Sequence, residues 1–441
     1  MRELSTNCQH GLFGSLHVPG DKSISHRSII FGAISHGDTR IDHFLASEDC
    51  LRTLRAFQNL GVSIDYTDDQ VVVHGKGLNG LTPPDQPLNM GNSGTTTRLM
   101  IGLLSGQPFA TQLFGDDSLS RRPMARVIDP LSQIGARFTS TNDRLPLTVF
   151  GNRVLKPLHY SLPVASAQVK SALILAALQT EGWSTIIEKQ ATRDHTEIML
   201  QAFGGELDKQ GLTLRVKGHP ALFGQTISVP GDMSSAAFFI AAAALLPSSQ
   251  LTLKNIGLNP TRTGFLRVLQ RMGAQIIAHQ HATIGEPAGD LLVHYAPLHA
   301  VRLTHIDIPD CIDELPLLAL LATQAQGTTT ITGAEELRVK ETDRIAVVAE
   351  ELRKLGAMIE ELPDGLVIQG PTVLTAPAHH RVDSHGDHRI GMMLAIAALL
   401  VKGSLHLDQE SAVRISYPEF FTDLDHLLAE GRHCDVQNNR R

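Results

Sequence analysis

Several short stretches of the sequence carry residues that could do chemistry on anions. GDKSISHR, Gly20 to Arg27, sets Lys22, Ser23 and Arg27 around the start of a predicted helix. Lysine and arginine supply charge for a phosphate or carboxylate, and Ser23 supplies a hydroxyl donor. The phrase resembles the end of a P-loop, but the G-x-x-x-x-G-K-[ST] spacing is absent, so a nucleotide P-loop is rejected. GNSGTTTR, Gly91 to Arg98, is a small-residue turn feeding a helix, and its backbone can approach an anion closely. SRRPM offers Arg121 and Arg122 just before a helix that Pro123 helps to open. GKGLNG at Gly75 fits G-x-G-x-x-G, yet Leu-Thr-Pro-Pro follows it, which reads as a turn and not as a dinucleotide site.

The carboxylates sit further along. Glu335 to Arg344 holds seven charged residues in ten, and a charge run is ordinarily a solvated helix face. Here Lys340, Glu341 and Arg344 fall at i, i+1 and i+4 and are expected to share about a quarter of a helix circumference. A carboxylate beside two cations can stay ionised, or donate a proton once an anionic substrate arrives. IPDCIDELP places Asp310, Asp313 and Glu314 before an apolar helix, where carboxylates are favoured in any case. SHGDHRI puts Asp387, His388 and Arg389 at another helix start. With His379, His380 and His385 it could hold a metal, but no H-E-x-x-H or cysteine partner supports that, and no metal is expected.

The elements that must position these residues repeat. Six segments share one design, a short polar opening and then an Ala/Leu-rich helix. They begin at Val18, Met90, Leu162, Val229, Ile308 and Ser384, roughly 65 to 80 residues apart. Helices this apolar all round belong in a core. Interleaved with them are amphipathic helices ending at Gly61, Gly135, Gly204, Gly273 and Gly356, each followed by a strand. Glycine just past a periodic helix is a C-cap signal. A sixth such helix runs from about Tyr417 to Glu430, and Val/Ile/Thr-rich strands such as those at Val71 and Leu251 fill the gaps.

The pattern predicts an α/β chain of two domains, each of three units. The phrases VPGDKS at Val18 and VPGDMS at Val229 mark the crossings, so residues 1–20 with 231–441 form one domain and residues 21–230 the other. The framework repeats, but most of the chemistry does not. Ser23 recurs as Ser234, whereas Lys22 and Arg27 are replaced by Met233 and Phe238. Gln168 occurs only in the third unit and the Asp313/Glu314 pair only in the fifth. Distinct polar residues at equivalent helix starts suggest one asymmetric anion site built from many units.

Composition narrows the classes. The 441 residues are 42% hydrophobic and 19% charged, with net charge −7, which argues against a disordered chain and a general nucleic-acid binder. The longest apolar run, Ala236 to Leu246, is about half a membrane span. The four cysteines, Cys8, Cys50, Cys311 and Cys434, form no C-x-x-C pair and read as reduced thiols. The N-terminus has no apolar signal core, and a cytoplasmic protein without membrane or nucleic-acid partners is expected.

Taken in order, GDKSISHR, GNSGTTTRL, SRRPM, VASAQVKSA, RDHTE, IDELP, RVKETDRI and HGDHRIGMM closely resemble the 5-enolpyruvylshikimate-3-phosphate synthase (3-phosphoshikimate 1-carboxyvinyltransferase) family, from about Leu16 to about Phe420. The resemblance implies two domains of three βαβαββ units each around buried helices, an inverse α/β barrel, closing on an interdomain cleft. It implies transfer of the enolpyruvyl group of phosphoenolpyruvate to the 5-hydroxyl of shikimate 3-phosphate, by a cofactor-free monomer. By that analogy Lys22, Ser23, Arg27, Ser166, Gln168, Arg193, Asp313 and Lys340, with the Ala167 backbone, hold shikimate 3-phosphate. Lys22, Gly94, Arg122, Gln168, Arg344 and Arg389 hold phosphoenolpyruvate. Asp313 is the base, Glu341 with Lys22 nearby the proton donor, and His388 a further candidate for proton transfer or orientation.

One position departs from the family pattern. Some members carry a lysine three residues before the proline of a C-terminal K-T-F-P; here RISYPEF has Ile415 there. Two rival readings fit the sequence less well. The sister UDP-N-acetylglucosamine enolpyruvyl transferases usually have Lys-Asn at the first helix and a cysteine five residues before the loop arginine, where this chain has Lys22-Ser23 and Asp117. A non-catalytic repeat scaffold should lose the unit-specific polar residues, which this chain keeps.

Overall fold

The computed structural model describes residues 1–8, 10–67, 70–281 and 285–438, with side chains as far as residue 431. The chain divides into two compact units, Met1–Pro19 with Gly231–Arg441, and Gly20–Pro230. Gly20, expected with the terminal segments, falls in the continuous unit.

The continuous unit, Gly20–Pro230, holds three modules. In each, a short leading strand is followed by a buried helix, a strand parallel to the first, an amphipathic helix and an antiparallel strand pair. The second module shows the pattern whole: Leu88–Asn89, the helix Gly94–Leu104, Ala110–Phe114, the helix Ala125–Gln133, Arg137–Thr141 and Arg144–Phe150. Leu88–Asn89 pairs in parallel with Ala110–Phe114, and the other pairings in that sheet are antiparallel. A parallel neighbour needs a crossover, and the buried helix is that crossover.

The leading strands reveal how each unit is closed. The helix Lys22–Ala33 is not led by the strand just before it in sequence. Thr226–Ser228 pairs in parallel with His36–Asp42 instead. In the other unit Phe13–Leu16 pairs in parallel with Gln250–Gly257 and leads the helix Met233–Leu245. Backbone bonds complete the exchange: the Asp21 amide donates to Pro230 O (2.8 Å), and the Asp232 amide to Pro19 O (2.9 Å). Each VPGD phrase therefore ends a strand in one unit and opens a helix in the other.

The sixth module is composite as well. Arg381–Asp383 and Leu405–Asp408 pair in parallel, and the antiparallel third strand comes from Arg2–Leu4 at the start of the chain. That strand had no counterpart in the sequence reading, because three residues are too few to show a period. The final helix runs Phe420–Asn438, later than expected at both ends. Tyr417 precedes it as a buried aromatic packed on Phe239 and Phe420.

The two helix classes behave as their patterns require. All thirteen residues of Met233–Leu245 are buried. The amphipathic helices end in one shared device. In all five, the glycine amide donates to the residue three before it and the next amide donates to the residue five before it, as in Gly61 to Gln58 and Val62 to Phe57. This is the Schellman motif, which needs a left-handed residue, and the five glycines have φ between 86° and 105°.

Two buried helices of the continuous unit approach unusually closely. A Cβ on Gly102 would lie 2.1 Å from the Ala172 carbonyl oxygen. This contact fixes the spacing of the helices Gly94–Leu104 and Ala167–Ala177. Gly102→Ala should therefore force them apart and lower stability by about 1–3 kcal/mol, the usual scale for overpacking. Urea denaturation checks this; an unchanged midpoint would mean that the helices part at no cost.

Candidate active site

The candidate residues of the buried helices gather at their first two turns. In the continuous unit Lys22, Ser23 and Arg27 lie on the first two turns of Lys22–Ala33, whose cap Asp21 accepts from the Ile24 amide at 2.9 Å. Lys22 forms an ion pair with Asp49. Arg27 is buried and extends across the helix bundle, donating to Thr196 Oγ1 (2.6 Å), Ser171 Oγ (2.8 Å) and Ser23 O (2.9 Å). Between them His26 is buried against Thr53 (2.7 Å), and burial pulls its pKa down to about 3, so the ring is neutral.

Gly94 is the first residue of its helix, capped by Ser93. A Cβ there would sit 2.9 Å from an Arg98 guanidinium nitrogen and 3.4 Å from one of Arg122. Glycine thus lets two guanidinium groups crowd a helix N-terminus, whose free amides also favour an anion. Arg122 is held by Asn92 Oδ1 at 2.8 Å. Arg98 donates to Gln168 Oε1 (2.6 Å), and Gln168 donates to Thr95 Oγ1 (3.0 Å), joining this helix start to the next. There Ser166 is the cap and Ala167 and Gln168 are the first two helical residues. Arg193 stands in the loop two residues before the helix His195–Ala202.

In the other unit Asp313 occupies a 3-10 turn, Ile312–Glu314, ahead of the helix Leu315–Gln324. Two guanidinium groups flank its carboxylate, Arg344 at 3.6 Å and Arg389 at 3.7 Å. Arg389 also donates to the Asp313 carbonyl at 3.2 Å. Glu314 is buried, bonded to Ser234 and 3.7 Å from Arg389. Asp310 turns elsewhere and pairs with Arg267.

Arg344 is the centre of this cluster. Its side chain is 2% exposed. It donates to Asp387 through Nε (2.8 Å) and to Glu341 through a terminal nitrogen (2.7 Å). Burial opposes its charge, but Asp387, Glu341 and Asp313 outweigh that and hold it above the ordinary arginine range. Burial likewise works against ionised Asp387, and Arg344 with His388 outweighs it, so that carboxyl sits below the usual range. Asp387 also caps the helix that begins with His388 and Arg389, accepting from the Arg389 amide at 2.9 Å.

One expectation needs correcting. Lys340 and Glu341 do not share a helix with Arg344. A 3-10 turn, Glu335–Val339, ends at Lys340, which is extended, and the helix starts at Arg344 with Asp343 as cap. The side chain of Asp343 accepts from the Ala346 amide at 3.1 Å and so takes the capping role that a continuous helix would forbid. Glu341 still reaches Arg344, but from a loop.

Sequence reasoning did not single out Arg98, Asp49 or Asp387 as partners. Arg98 was visible as the end of GNSGTTTR; Asp49 and Asp387 became partners only through folding. Of the four histidines of the candidate metal cluster, His385 bonds Glu351 at 2.9 Å and His380 bonds the Ser404 carbonyl at 3.0 Å. Glu350, Glu351 and His385 form a compact group, but the Lys354 ammonium lies 2.8 Å and 2.6 Å from the two carboxylates. That ammonium already supplies the positive charge the carboxylates need. Ile415, at the departure from the family pattern, is half-buried at the end of a 3-10 turn, and its neighbour Arg414 is exposed.

The Asp387–Arg344 pair generates a stability prediction. Removing one partner of a buried pair typically costs about 3–5 kcal/mol, so Asp387→Asn should destabilise on that scale. The native carboxyl titrates below its unfolded value near about 4, so its stabilisation is complete above that pH and is lost as pH falls through the lower native value. The variant should show a shallower loss of stability in acid, measured by denaturation at several pH values; an equal acid slope would show that Asp387 is not the titrating group.

Known proteins share this arrangement of elements. The sequence model described as EPSP synthase (3-phosphoshikimate 1-carboxyvinyltransferase) matches residues 7–424. A 3-phosphoshikimate 1-carboxyvinyltransferase of Lactiplantibacillus plantarum is 55% identical over 97% of this chain and 99% of its own. A solved EPSP synthase from Acinetobacter baumannii is 40% identical, with a TM-score of 0.87 over 97% of both chains. The enolpyruvyl transferase NikO from Streptomyces tendae has the same fold at 19% identity, with a TM-score of 0.78 over 96% of this chain and 97% of its own. The α/β modules, the match along nearly all of the sequence and the identity to named relatives agree, and the chain belongs to the EPSP synthase (3-phosphoshikimate 1-carboxyvinyltransferase) family.

Proposed function

We propose that this protein transfers the enolpyruvyl group of phosphoenolpyruvate to the 5-hydroxyl of shikimate 3-phosphate, releasing phosphate. The observation that carries the reading is the setting of Asp313, a carboxylate flanked by two guanidinium groups, Arg344 and Arg389, in a chain whose family performs this reaction. A base beside two fixed cations suits a hydroxyl attacking an anionic vinyl phosphate.

In the proposed reaction Asp313 takes the proton of the 5-hydroxyl as its oxygen bonds to C2 of phosphoenolpyruvate. Glu341 protonates the methylene carbon C3. Elimination returns that C3 proton to the protein as the C2–O bond to phosphate breaks, and the hydroxyl proton leaves with phosphate. Arg344 and Arg389 would hold the phosphoenolpyruvate carboxylate. Arg344 suits that role because Asp387 fixes two of its nitrogens, which leaves Nη1 directed to the Asp313 side. Lys22, Arg122 and Gln168, with the amides at Gly94, would meet the phosphoenolpyruvate phosphate. Lys22, Ser23, Arg27, Ser166, Ala167, Gln168, Arg193, Asp313 and Lys340 would bind shikimate 3-phosphate. Lys22 would leave Asp49 to do so, which lets the substrate anion replace a carboxylate already present. His388, next to Asp387, would support orientation more than proton transfer. The same reading has the protein act in the cytoplasm as a monomer, without a metal or cofactor. No helix among the described residues is long and apolar enough to cross a membrane.

The test is phosphate release from phosphoenolpyruvate by the purified protein with each acceptor. Release should require shikimate 3-phosphate, and Asp313→Ala and Glu341→Ala should each lose about 10²–10⁴-fold in kcat, the usual range for a positioned acid or base. Release with UDP-N-acetylglucosamine alone would replace the acceptor; release with neither would remove the function.

A further inference from the structure

Lys170 is wholly buried, yet none of the roles above uses it. It sits two residues beyond Gln168 on the helix Ala167–Ala177. Its ammonium lies 2.7 Å from Glu197, 2.9 Å from Glu188 and 3.3 Å from the Thr192 carbonyl. The side chains of Glu188 and Glu197 are 1% and 4% exposed. Lys209 adds a second, more distant cation at 3.9 Å and 3.8 Å, so two positive and two negative charges share the cluster. Stability alone is a weak reason for such a group, since well-packed apolar residues of similar volume are often at least as stable.

What the cluster holds is a loop. One Glu188 oxygen accepts from both the Thr192 amide (3.1 Å) and the Thr192 hydroxyl (2.6 Å), while Lys170 takes the Thr192 carbonyl. Thr192 is thus gripped at three atoms, and the next residue is Arg193. The adjacent residues form a second layer. Ser171 beside Lys170 bonds Thr196 beside Glu197 (2.6 Å), and Arg27 donates to both. The ion cluster and the Arg27 contacts are therefore two layers of one helix–helix junction.

We propose that Lys170, Glu188 and Thr192 are positioning residues that hold Arg193, and through Thr196 also Arg27, in the geometry that receives shikimate 3-phosphate. This rests on the function proposed above, and it adds a device that tunes affinity for one substrate and not the other. Arg122, a phosphoenolpyruvate group of the same unit, is anchored separately, through Asn92 Oδ1.

Removing Lys170 could unfold the unit, because two buried carboxylates would lose their nearest cation. Thr192→Val keeps the ion cluster and the side-chain shape and removes only the hydroxyl bond; Thr192→Ser restores it. Thr192→Val should raise KM for shikimate 3-phosphate about tenfold while KM for phosphoenolpyruvate and kcat stay within about twofold, and Thr192→Ser should recover the wild-type values. In the free protein the amides of residues 189–194 should exchange with deuterium about tenfold faster in Thr192→Val. Equal increases in both KM values, or no change in either, would overturn the positioning role. If the wild type does not turn over shikimate 3-phosphate, the proposed function fails; the exchange experiment then judges the clasp alone, and an unchanged rate overturns it too.

Discussion

A helix buried on every side keeps most of its polar chemistry in its first two turns. Further along, each side chain meets another helix or a sheet, and a charge would be stripped of water without a partner. At the first turn the backbone amides have no internal acceptor and the helix dipole is positive. Six apolar helices therefore create six polar ends, and every proposed anion-binding residue but Arg122, Arg193, Lys340 and Arg344 lies on or beside one; Arg344 opens an amphipathic helix. Asp21, Ser93, Ser166, Asp232 and Asp387 cap five of these helices, each accepting from an amide of its own first turn.

The charges placed there are stable only because each unit supplies counter-charges of its own. Arg344 is held by Asp387 and Glu341, and Arg389 by groups at Asp313 and Glu314. Arg27 is instead met by hydroxyls, from Ser171 and Thr196. The contrast has a consequence. Hydroxyls satisfy the directional demands of a guanidinium without carrying a charge of their own. A carboxylate partner fixes Arg344 more firmly and spends part of its field. Gly94 contributes by what it lacks, because a Cβ there would press on the Arg98 guanidinium and lie against that of Arg122.

The two VPGD phrases explain why six similar modules do not form one continuous array. Each phrase ends a strand in one unit and starts a helix in the other, so the leading strands of the first and fourth modules are exchanged along the chain. Proline cannot donate to a sheet ladder and so ends the strand, while the aspartate two residues later caps the next helix. The same local chemistry thus serves both as a strand stop and as a helix start. The strand Arg2–Leu4 completes the sixth module in an analogous way, by recruiting a segment remote in sequence.

The sequence alone determined the elements whose signals are local. Apolar runs marked the buried helices, glycines marked the five Schellman ends, and the repeated phrase marked the crossings, because period and φ preference act within a few residues. The order of polar motifs also determined the family, since each motif is tied to one module. Tertiary structure alone decided who pairs with whom. Nothing near Lys22 in sequence points to Asp49, nothing near Arg344 points to Asp387, and Lys170 reads as an ordinary helix lysine until Glu188 and Glu197 close around it. The run Glu335 to Arg344 illustrates the difference: its charges suggested one helix, but Asp343 captured the Ala346 amide and split the run into a turn, a loop and a helix. A charge pair across modules depends on distance in space, and spacing along the chain carries no record of it.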